Sequence, residues 1–314
     1  MENFSHSPVM LAACLEALNI RPDGIYLDGT AGGAGHSAAI AARLQGGHLY
    51  AMDQDPDALA AATQRLAGLP ATVVQGNFKD APALLAQQGI HKLDGALLDL
   101  GVSSHQLDSA GRGFSYHQDA PLDMRMSQAG PTAADLLATL DRQALADIFR
   151  QYGEEPHAWQ IAGKLVAARQ TQPIATTGQL AELVISALPP AVRRKSKNPA
   201  RRVFQALRIA VNGELDALAA GLEGIFSLLN TGGRLAVLTF HSLEDRMVKQ
   251  RFRAWATACT CPPELPVCVC GGKAAGRLVG KNPQTATPQE LEANRRSRSA
   301  KLRVIERLSE VTDG

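Results

Sequence analysis

The segment DGTAGGAGHS, residues 28–37, lies between a short apolar run and a helical pattern, and it decides which fold the chain is expected to adopt. Its glycines allow the backbone to turn tightly and to approach a ligand closely. The helix that follows offers backbone N–H groups at its N-terminus. Because ligands of doubly wound sheets bind beyond the carboxyl ends of the strands, this loop predicts a cofactor site.

Short apolar runs alternate with helical patterns on both sides of this loop. They predict strands near residues 25–27, 48–52, 71–74, 95–98, 235–240 and 301–305. Such alternation is typical of a parallel sheet with right-handed crossovers. From 132 to 211, by contrast, the pattern is helical only.

The order of these patterns predicts one α/β domain with a helical domain inserted after the fourth strand. Residues 1–106 form the first part of the α/β domain, 107–211 the helical insertion and 212–314 the second part. The insertion is the expected substrate-recognition element.

Three of the predicted strands end in a carboxylate, at Asp28, Asp53 and Asp99. Asp53 ends the second strand, about 20 residues beyond the loop, where an acidic side chain accepts hydrogen bonds from ribose. Asp28 precedes the loop, where a negative charge would repel a dinucleotide pyrophosphate but suits the cationic methionine end of S-adenosylmethionine. The loop lacks the GxGxxG spacing of a nicotinamide-dependent oxidoreductase. These residues favour S-adenosylmethionine, and the alternative is a strand–helix turn that binds no ligand.

The composition is that of a globular protein. Of 314 residues, 45% are hydrophobic and 20% are charged, and the formal net charge is +2. No apolar run reaches the roughly 18 residues that span a bilayer. The N-terminus carries Glu2 and Glu16 without a basic region, unlike a signal peptide. These features predict a cytoplasmic protein with no membrane partner.

Basic residues cluster in two stretches that suit contacts with RNA phosphates. They are Arg193, Arg194, Lys195, Lys197, Arg201, Arg202 and Arg208, and then Arg295, Arg296, Arg298, Lys301 and Arg303. A solvated face is the alternative interpretation of both stretches. Within the helical insertion, Trp159 and Phe204 are either base-stacking or core residues, and the core role is favoured.

Four cysteines lie close together in the segment CTCPPELPVCVC. They are Cys259, Cys261, Cys268 and Cys270, and four thiolates can hold a structural zinc ion in tetrahedral geometry. The CxC spacing departs from the usual CxxC, so reduced cysteines in a loop, or a redox pair, are the alternatives. Cys14, in the first predicted helix, is expected in the core.

Six motifs together resemble the bacterial small-subunit ribosomal RNA cytosine-N(4)-methyltransferase family. They are DGTAGGAGHS (28–37), LLDLGVSSHQLD (97–108), RGFSY with PLDMRM (112–126), RIAVNGEL (208–215), FHSLEDRMVK (240–249) and RSRSAKLR (296–303). The resemblance implies a Rossmann-like S-adenosylmethionine-dependent methyltransferase with an inserted helical domain. It also implies a decoding-region cytidine as the methyl acceptor.

Residue by residue, the resemblance places the cofactor contacts on Ala34, Gly35, His36, Asp53, Phe78, Asp99 and Gln106. The ring of Phe78 would flank the adenine, and a core phenylalanine is the equal alternative. Ala34 departs from the glycine that is usual in the family. A backbone contact survives this change unless the position needs a positive φ.

The implied acceptor is the exocyclic amine of cytosine, a weak nucleophile because its lone pair is delocalised into the ring. The enzyme must align this amine and accept its proton. We expect Asp99, at the end of the fourth strand, to line the methyl-transfer site. We expect His241 or Asp245, after the fifth strand, to bind or deprotonate the base. The alternative is a helix cap at Ser242 with Asp245 in the first turn.

A second function stays open at this stage. An RNA-binding ribosome-assembly factor would retain the fold without turnover. The expected partner is small-subunit ribosomal RNA within the small ribosomal subunit, and a homodimer is left open.

Overall fold

The structure is a computed structural model that describes residues 8–116, 118–195, 198–258, 261 and 272–308. The chain divides into two compact units. The sheet unit comprises Met1–Gly101 and Leu215–Gly314, and the helical unit comprises Val102–Glu214. The first boundary lies before residue 106 because Val102 and Leu107 already pack against the core of the helical unit.

The described residues of the sheet unit form eight strands. In chain order these are β1 (Ile25–Asp28), β2 (His48–Asp53), β3 (Ala71–Gln75), β4 (Leu93–Asp99), β5 (Leu229–Thr239), β6 (Gly276–Leu278), β7 (Gln284–Thr285) and β8 (Lys301–Arg307). They form one sheet in the order β3-β2-β1-β4-β5-β8-β6, and β7 also pairs with β8.

Fourteen α-helices are found in the described part of the chain. The sheet unit holds α1 (Leu11–Leu18), α2 (Gly35–Ala41), α3 (Pro56–Arg65), α4 (Ala81–Ala86), α12 (Glu214–Leu228), α13 (Ser242–Ala256) and α14 (Pro288–Ala293). The first residue of α12, Glu214, still belongs to the helical unit. The helical unit holds α5 (Ser104–Asp108), α6 (Ala133–Thr139), α7 (Arg142–Gly153), α8 (Ala158–Arg169), α9 (Thr177–Ala187), α10 (Pro190–Lys195) and α11 (Arg201–Asn212).

Strands β1 to β5 pair in parallel, which confirms the α/β prediction. The other three strands are antiparallel: β8 pairs with β5, β6 and β7. The sequence did not predict β6 and β7, because strands of three and two residues are too short to show an alternating pattern. β5 starts at Leu229 rather than at 235, so the Asn-Thr-Gly-Gly segment after α12 is part of the strand.

Both faces of the sheet are covered, because successive side chains of a strand point to opposite faces. Leu97 packs with α1 and α2 through Leu18 and Ile40, whereas Leu98 packs with α12 and α13 through Leu222 and Phe252. All of these side chains are almost completely buried. This two-sided core fixes the carboxyl ends of β1, β2 and β4, where the acidic residues lie.

The helical unit has its own core, which includes Phe149, Leu145, Ile161, Leu180 and Leu207. No helix among the described residues is both long and apolar enough to pass through a bilayer.

The two aromatic residues considered for base stacking differ in burial. Phe204 is buried and lies edge-on to Tyr116, with ring centroids 4.9 Å apart, which confirms the core role. Trp159 is 43% exposed, so the favoured core role is wrong for this residue. Trp159 follows the buried Ala158 in α8, and its ring lies under the guanidinium of Arg142.

Candidate active site

The glycine-rich loop connects β1 to α2 and is tied to both neighbouring strands. The N–H of Gly29 donates to the carbonyl of Leu97 (2.9 Å), and the N–H of Ala31 donates to that of Met52 (2.9 Å). Ala34 has φ +55°, so the departure from glycine falls at a left-handed position. The methyl group of Ala34 is fully buried, and this burial offsets the cost of about 1 kcal/mol for such a conformation.

Asp28 holds this loop together from within. Its Oδ2 accepts from Ser37 Oγ (2.6 Å), and its Oδ1 accepts from the N–H of Thr30 (3.1 Å). Burial raises the pKa of this carboxyl, and the hydrogen bonds from Ser37 and Thr30 oppose that effect. The carboxylate is 1% exposed, so its direct partners are loop residues and its effect on a cationic ligand is electrostatic. No role was predicted for Thr30 or Ser37. Their hydroxyls within a glycine-rich loop are the sequence signal that could have indicated hydrogen bonds to Asp28.

Asp53 lies at the carboxyl end of β2, as expected. Its Oδ2 accepts from the N–H of Gly32 (2.8 Å), and its Oδ1 accepts from the N–H of Asp55 (2.9 Å). Burial raises its pKa to about 6, against the lowering effect of these two hydrogen bonds. Since each carboxylate oxygen has two lone pairs, Asp53 retains acceptor capacity for the hydroxyls of a ribose.

Asp99 ends β4, and its two carboxylate oxygens have different surroundings. Its N–H donates to Thr30 Oγ1 (2.6 Å), and its Oδ2 lies 3.6 Å from His36 Nδ1. Its Oδ1 is buried without a hydrogen-bond partner among the described residues. Burial raises the pKa of Asp99 to about 6, His36 lowers it, and Asp28 and Glu244 raise it further. A buried oxygen of this kind costs about 1–3 kcal/mol, which indicates a place for a donor from a ligand.

Phe78 begins a 3₁₀ turn, Phe78–Asp80, directly after β3. Its half-buried ring lies against Gly221 of α12, where a Cβ atom would overlap the ring carbons. Part of the ring therefore belongs to the core and part is accessible, so the adenine contact stays a prediction.

His241 is the cap of α13, a role that the sequence analysis considered for Ser242. His241 Nδ1 accepts from the N–H of Glu244 (3.5 Å), and Glu244 Oε2 accepts from the N–H of Phe240 (2.9 Å). His241 Nε2 lies 2.8 Å from Glu244 Oε1. The two atoms are not aligned for a hydrogen bond, so this buried nitrogen makes no hydrogen bond with a described residue. Because Nδ1 accepts, Nε2 carries the ring proton.

Asp245 is bound by two cations. Lys301 Nζ lies 2.8 Å from its Oδ2, and Arg303 Nε lies 2.8 Å from its Oδ1. Burial would raise the pKa of Asp245, but the hydrogen bonds from Arg303 and Lys301 outweigh it and hold the pKa below its usual value. Asp245 is therefore a weaker base than an ordinary carboxylate, which does not favour the expected role as a proton acceptor. The buried Arg303 is likewise removed from the expected phosphate contacts.

Gln106 belongs to the helical unit and takes part in the cap of α5. Its Oε1 accepts from the N–H of Ser103 (2.9 Å), and its own N–H donates to Ser103 Oγ (3.2 Å). Its contact with a cofactor stays a prediction.

The cysteine segment lies mostly outside the described residues. This applies to Cys259, Cys268 and Cys270, so the structure does not describe the expected zinc site. Cys261 is partly buried. Cys14 is buried in α1, as expected, and burial raises the pKa of its thiol.

A family model described as the MraW methylase family matches residues 3–308. The chain belongs to the MraW methylase family. Among similar proteins is ribosomal RNA small subunit methyltransferase H of Symbiobacterium thermophilum, 52% identical over 97% of each chain. Its counterpart from Heliobacterium modesticaldum is 50% identical over 97% of this chain and 99% of the relative. A solved putative rRNA methylase from Clostridium thermocellum covers 96% of this chain and 100% of its own, with a TM-score of 0.44 and 10% identity.

Membership in this family makes the chain a methyltransferase, and the parallel strand order β3-β2-β1-β4-β5 of its sheet is Rossmann-like. Family membership, predicted from six motifs, is confirmed over nearly the whole chain. The roles assigned to single residues rest on the geometry described above, and they are proposals.

Proposed function

We propose that this enzyme transfers a methyl group from S-adenosylmethionine to the N(4) amine of a cytidine in the decoding region of small-subunit ribosomal RNA. The observation that carries the reaction chemistry is Asp99 Oδ1, a buried acceptor without a partner among the described residues. An amine that must lose a proton is the donor such an atom fits. The names of the relatives support ribosomal RNA as the substrate.

The cofactor would lie along the carboxyl ends of β1, β2 and β4. Asp53 would accept from the ribose, Phe78 would flank the adenine, and the backbone of Ala34–His36 would face the methionine end, with Gln106 as a further contact. When bound, S-adenosylmethionine supplies an electrophilic methyl group. The residues present fit S-adenosylmethionine. The pKa values of Asp53 and Asp99 are about 6, so both carboxylates are largely ionised at neutral pH and can accept hydrogen bonds from its polar groups.

In the proposed reaction, Asp99 Oδ1 accepts a hydrogen bond from the cytidine amine. Asp99 would take the proton that the amine loses when the methyl–sulfur bond of the donor breaks and the new N–C bond forms. The donor would leave as the neutral thioether S-adenosylhomocysteine, and Asp99 would then release the proton to solvent. Asp99 ends β4 beside β5, where its register partner is Leu238. His241, three residues further on, would donate from Nε2 to the ring nitrogen next to the amine. Asp245 has no part in this step because two cations hold it.

The helical unit is the proposed RNA-recognition element. Its exposed cations include Arg193, Arg194, Arg201 and Arg202. By contrast, Arg208 is engaged by Glu214 through two hydrogen bonds of 2.7 and 2.8 Å. The guanidinium of Arg142 lies 3.9 Å from the ring centre of Trp159, which leaves the other face of this exposed ring for an unpaired base.

The experiment that tests this function in cells compares ribosomal RNA nucleosides from a strain lacking the gene. We expect N(4)-methylated cytidine to be lost, restored by the wild-type gene and not restored by Asp99→Asn. Full restoration by Asp99→Asn would contradict the role of Asp99. If the protein were an assembly factor without turnover, N(4)-methylated cytidine would persist in the strain lacking the gene; the names of the relatives do not favour that alternative.

Three further parts of the account are proposals. Small ribosomal subunits are cytoplasmic particles, so the proposed substrate places the enzyme in the cytoplasm.

A zinc ion would be bound by four cysteines and would hold the cysteine segment in one conformation; they are Cys259, Cys261, Cys268 and Cys270. Metal analysis showing less than one zinc per chain would contradict this zinc site. A homodimer would appear in light scattering as twice the mass of 33.3 kDa.

A further inference from the structure

The imidazole of His36 makes one contact at each ring nitrogen. Nε2 lies 3.1 Å from the carbonyl oxygen of Val9, and Nδ1 lies 3.6 Å from Asp99 Oδ2. The residue is 6% exposed, so water does not mediate either contact freely. His36 therefore connects the N-terminal segment to the carboxylate at the end of β4.

The Val9 contact determines where the ring protons are. A carbonyl oxygen only accepts, so Nε2 must carry a hydrogen. A neutral imidazole would then present a lone pair from Nδ1 to a negatively charged oxygen of Asp99, which is unfavourable at a buried position. A ring with hydrogens on both nitrogens donates toward Val9 and toward Asp99 Oδ2, and in this form it stabilises the ionised carboxylate.

The other charged groups around Asp99 are acidic. Asp28 on β1 and Glu244 on α13 both raise the pKa of Asp99, and His36 is the group that lowers it. Cys14 on α1 also lies within electrostatic range of Asp99. Among the described groups acting on Asp99, only His36 can provide a positive charge.

The segment before α1 is itself held in place. A Cβ atom at Gly35 would overlap the ring of Pro8, so this glycine allows the segment to lie directly on the start of α2. On the other side, the N–H of Met10 donates to Glu290 Oε1 (3.0 Å). The carbonyl of Val9 is thereby presented to His36 in a fixed direction.

We propose that His36 is a positioning residue for methyl transfer: its side chain keeps Asp99 ionised and leaves Oδ1 as the oxygen that accepts from the substrate amine, while Val9 orients the ring. This inference rests on the proposed function. It differs from a cofactor contact by the His36 side chain, because both ring nitrogens are already engaged inside the protein.

The test is the pH profile of single-turnover methyl transfer by His36→Gln, with His91→Gln on an exposed loop as the matched control. Without the imidazole, the pKa of Asp99 rises, so the acid limb of the profile moves to higher pH. We expect a shift of about one pH unit, a roughly tenfold loss below the limb, and recovery to near wild-type rates at high pH. A loss that is equal at every pH would indicate a merely structural role and overturn the proposal.

A second measurement does not depend on activity. In ¹⁵N-histidine NMR spectra, assigned with His36→Gln, we expect His36 Nε2 to remain protonated at every pH at which the protein is folded. A neutral ring with its proton on Nδ1 would overturn the proposal even if methyl transfer proceeds. If the expected tautomer is found but no cytidine is methylated, the proposed function fails and the contact with Val9 stands.

Discussion

At the scale of single residues, the site combines burial with negative charge. Asp28, Asp53 and Asp99 end neighbouring strands, and burial raises the pKa of each carboxyl. Asp28 and Asp53 are compensated by hydrogen bonds from the loop, whereas one oxygen of Asp99 is not. The ligand-free protein is therefore less stable than it would be with this oxygen paired, and the oxygen stays available as the acceptor that the proposed reaction needs.

Replacing the acceptor tests this directly. We expect Asp99→Asn to lower the single-turnover rate of methyl transfer by about 10²–10⁴-fold, because an amide does not take the proton of the amine. The affinity for S-adenosylmethionine, measured by calorimetry, should fall by less than about tenfold, the value of one hydrogen bond. Asp23→Asn, in an exposed turn, is the matched control and should leave both quantities unchanged.

The same carboxyl gives stability a definite pH dependence. An unfolded Asp ionises near 3.8 and folded Asp99 at about 6, so between these values the folded state binds more protons. Its contribution to the free energy of unfolding is thus greatest below 3.8 and declines as pH rises to about 6. At pH 7 we expect Asp99→Asn to raise the melting temperature of the ligand-free protein. A lower melting temperature would show that the buried charge is compensated.

At the scale of elements, close packing between α12 and the turn after β3 positions Phe78. Gly221→Ala should push the ring away, and the overlap should destabilise the protein by about 1–3 kcal/mol despite the better helix propensity of alanine. Urea unfolding measures this change. Unchanged stability together with unchanged cofactor affinity would show that the ring moves at no cost and has no part in binding.

Helix α8 carries the exposed Trp159, and the fluorescence of this residue reports on its surroundings. The other tryptophan, Trp255, stacks on Phe226 with centroids 4.0 Å apart, so Trp255→Phe leaves a single reporter. In this variant we expect decoding-region RNA to quench the emission, because a base stacks on the open face of the ring. RNA that binds, as shown by anisotropy, without quenching would place the contact elsewhere.

At the scale of the whole molecule, sequence patterns were sufficient to predict the parallel strands. The run Gly95–Leu98 is apolar because β4 is buried on both faces, and this is what makes such strands detectable. Edge strands β6 and β7 carry no such signal. Their antiparallel pairing with β8 depends on contacts between residues 16 to 31 positions apart, which no local pattern encodes.

The candidate site shows the same division. Strand ends predicted the locations of Asp53, Asp99 and His241, since position along the chain fixes the edge of the sheet that they occupy. Partners across the fold could not be predicted. The ion pairs of Asp245 with Lys301 and Arg303 join residues more than 50 positions apart. They lower the pKa of Asp245, so this carboxylate is a weaker base than the sequence alone suggests.

The most direct test of the central claim is transfer of tritiated methyl groups from S-adenosylmethionine to small ribosomal subunits isolated from cells that lack this gene. We expect label in N(4)-methylcytidine with the wild-type enzyme and almost none with Asp99→Asn. Label in a different nucleoside, or no label despite measured binding of S-adenosylmethionine, would contradict it.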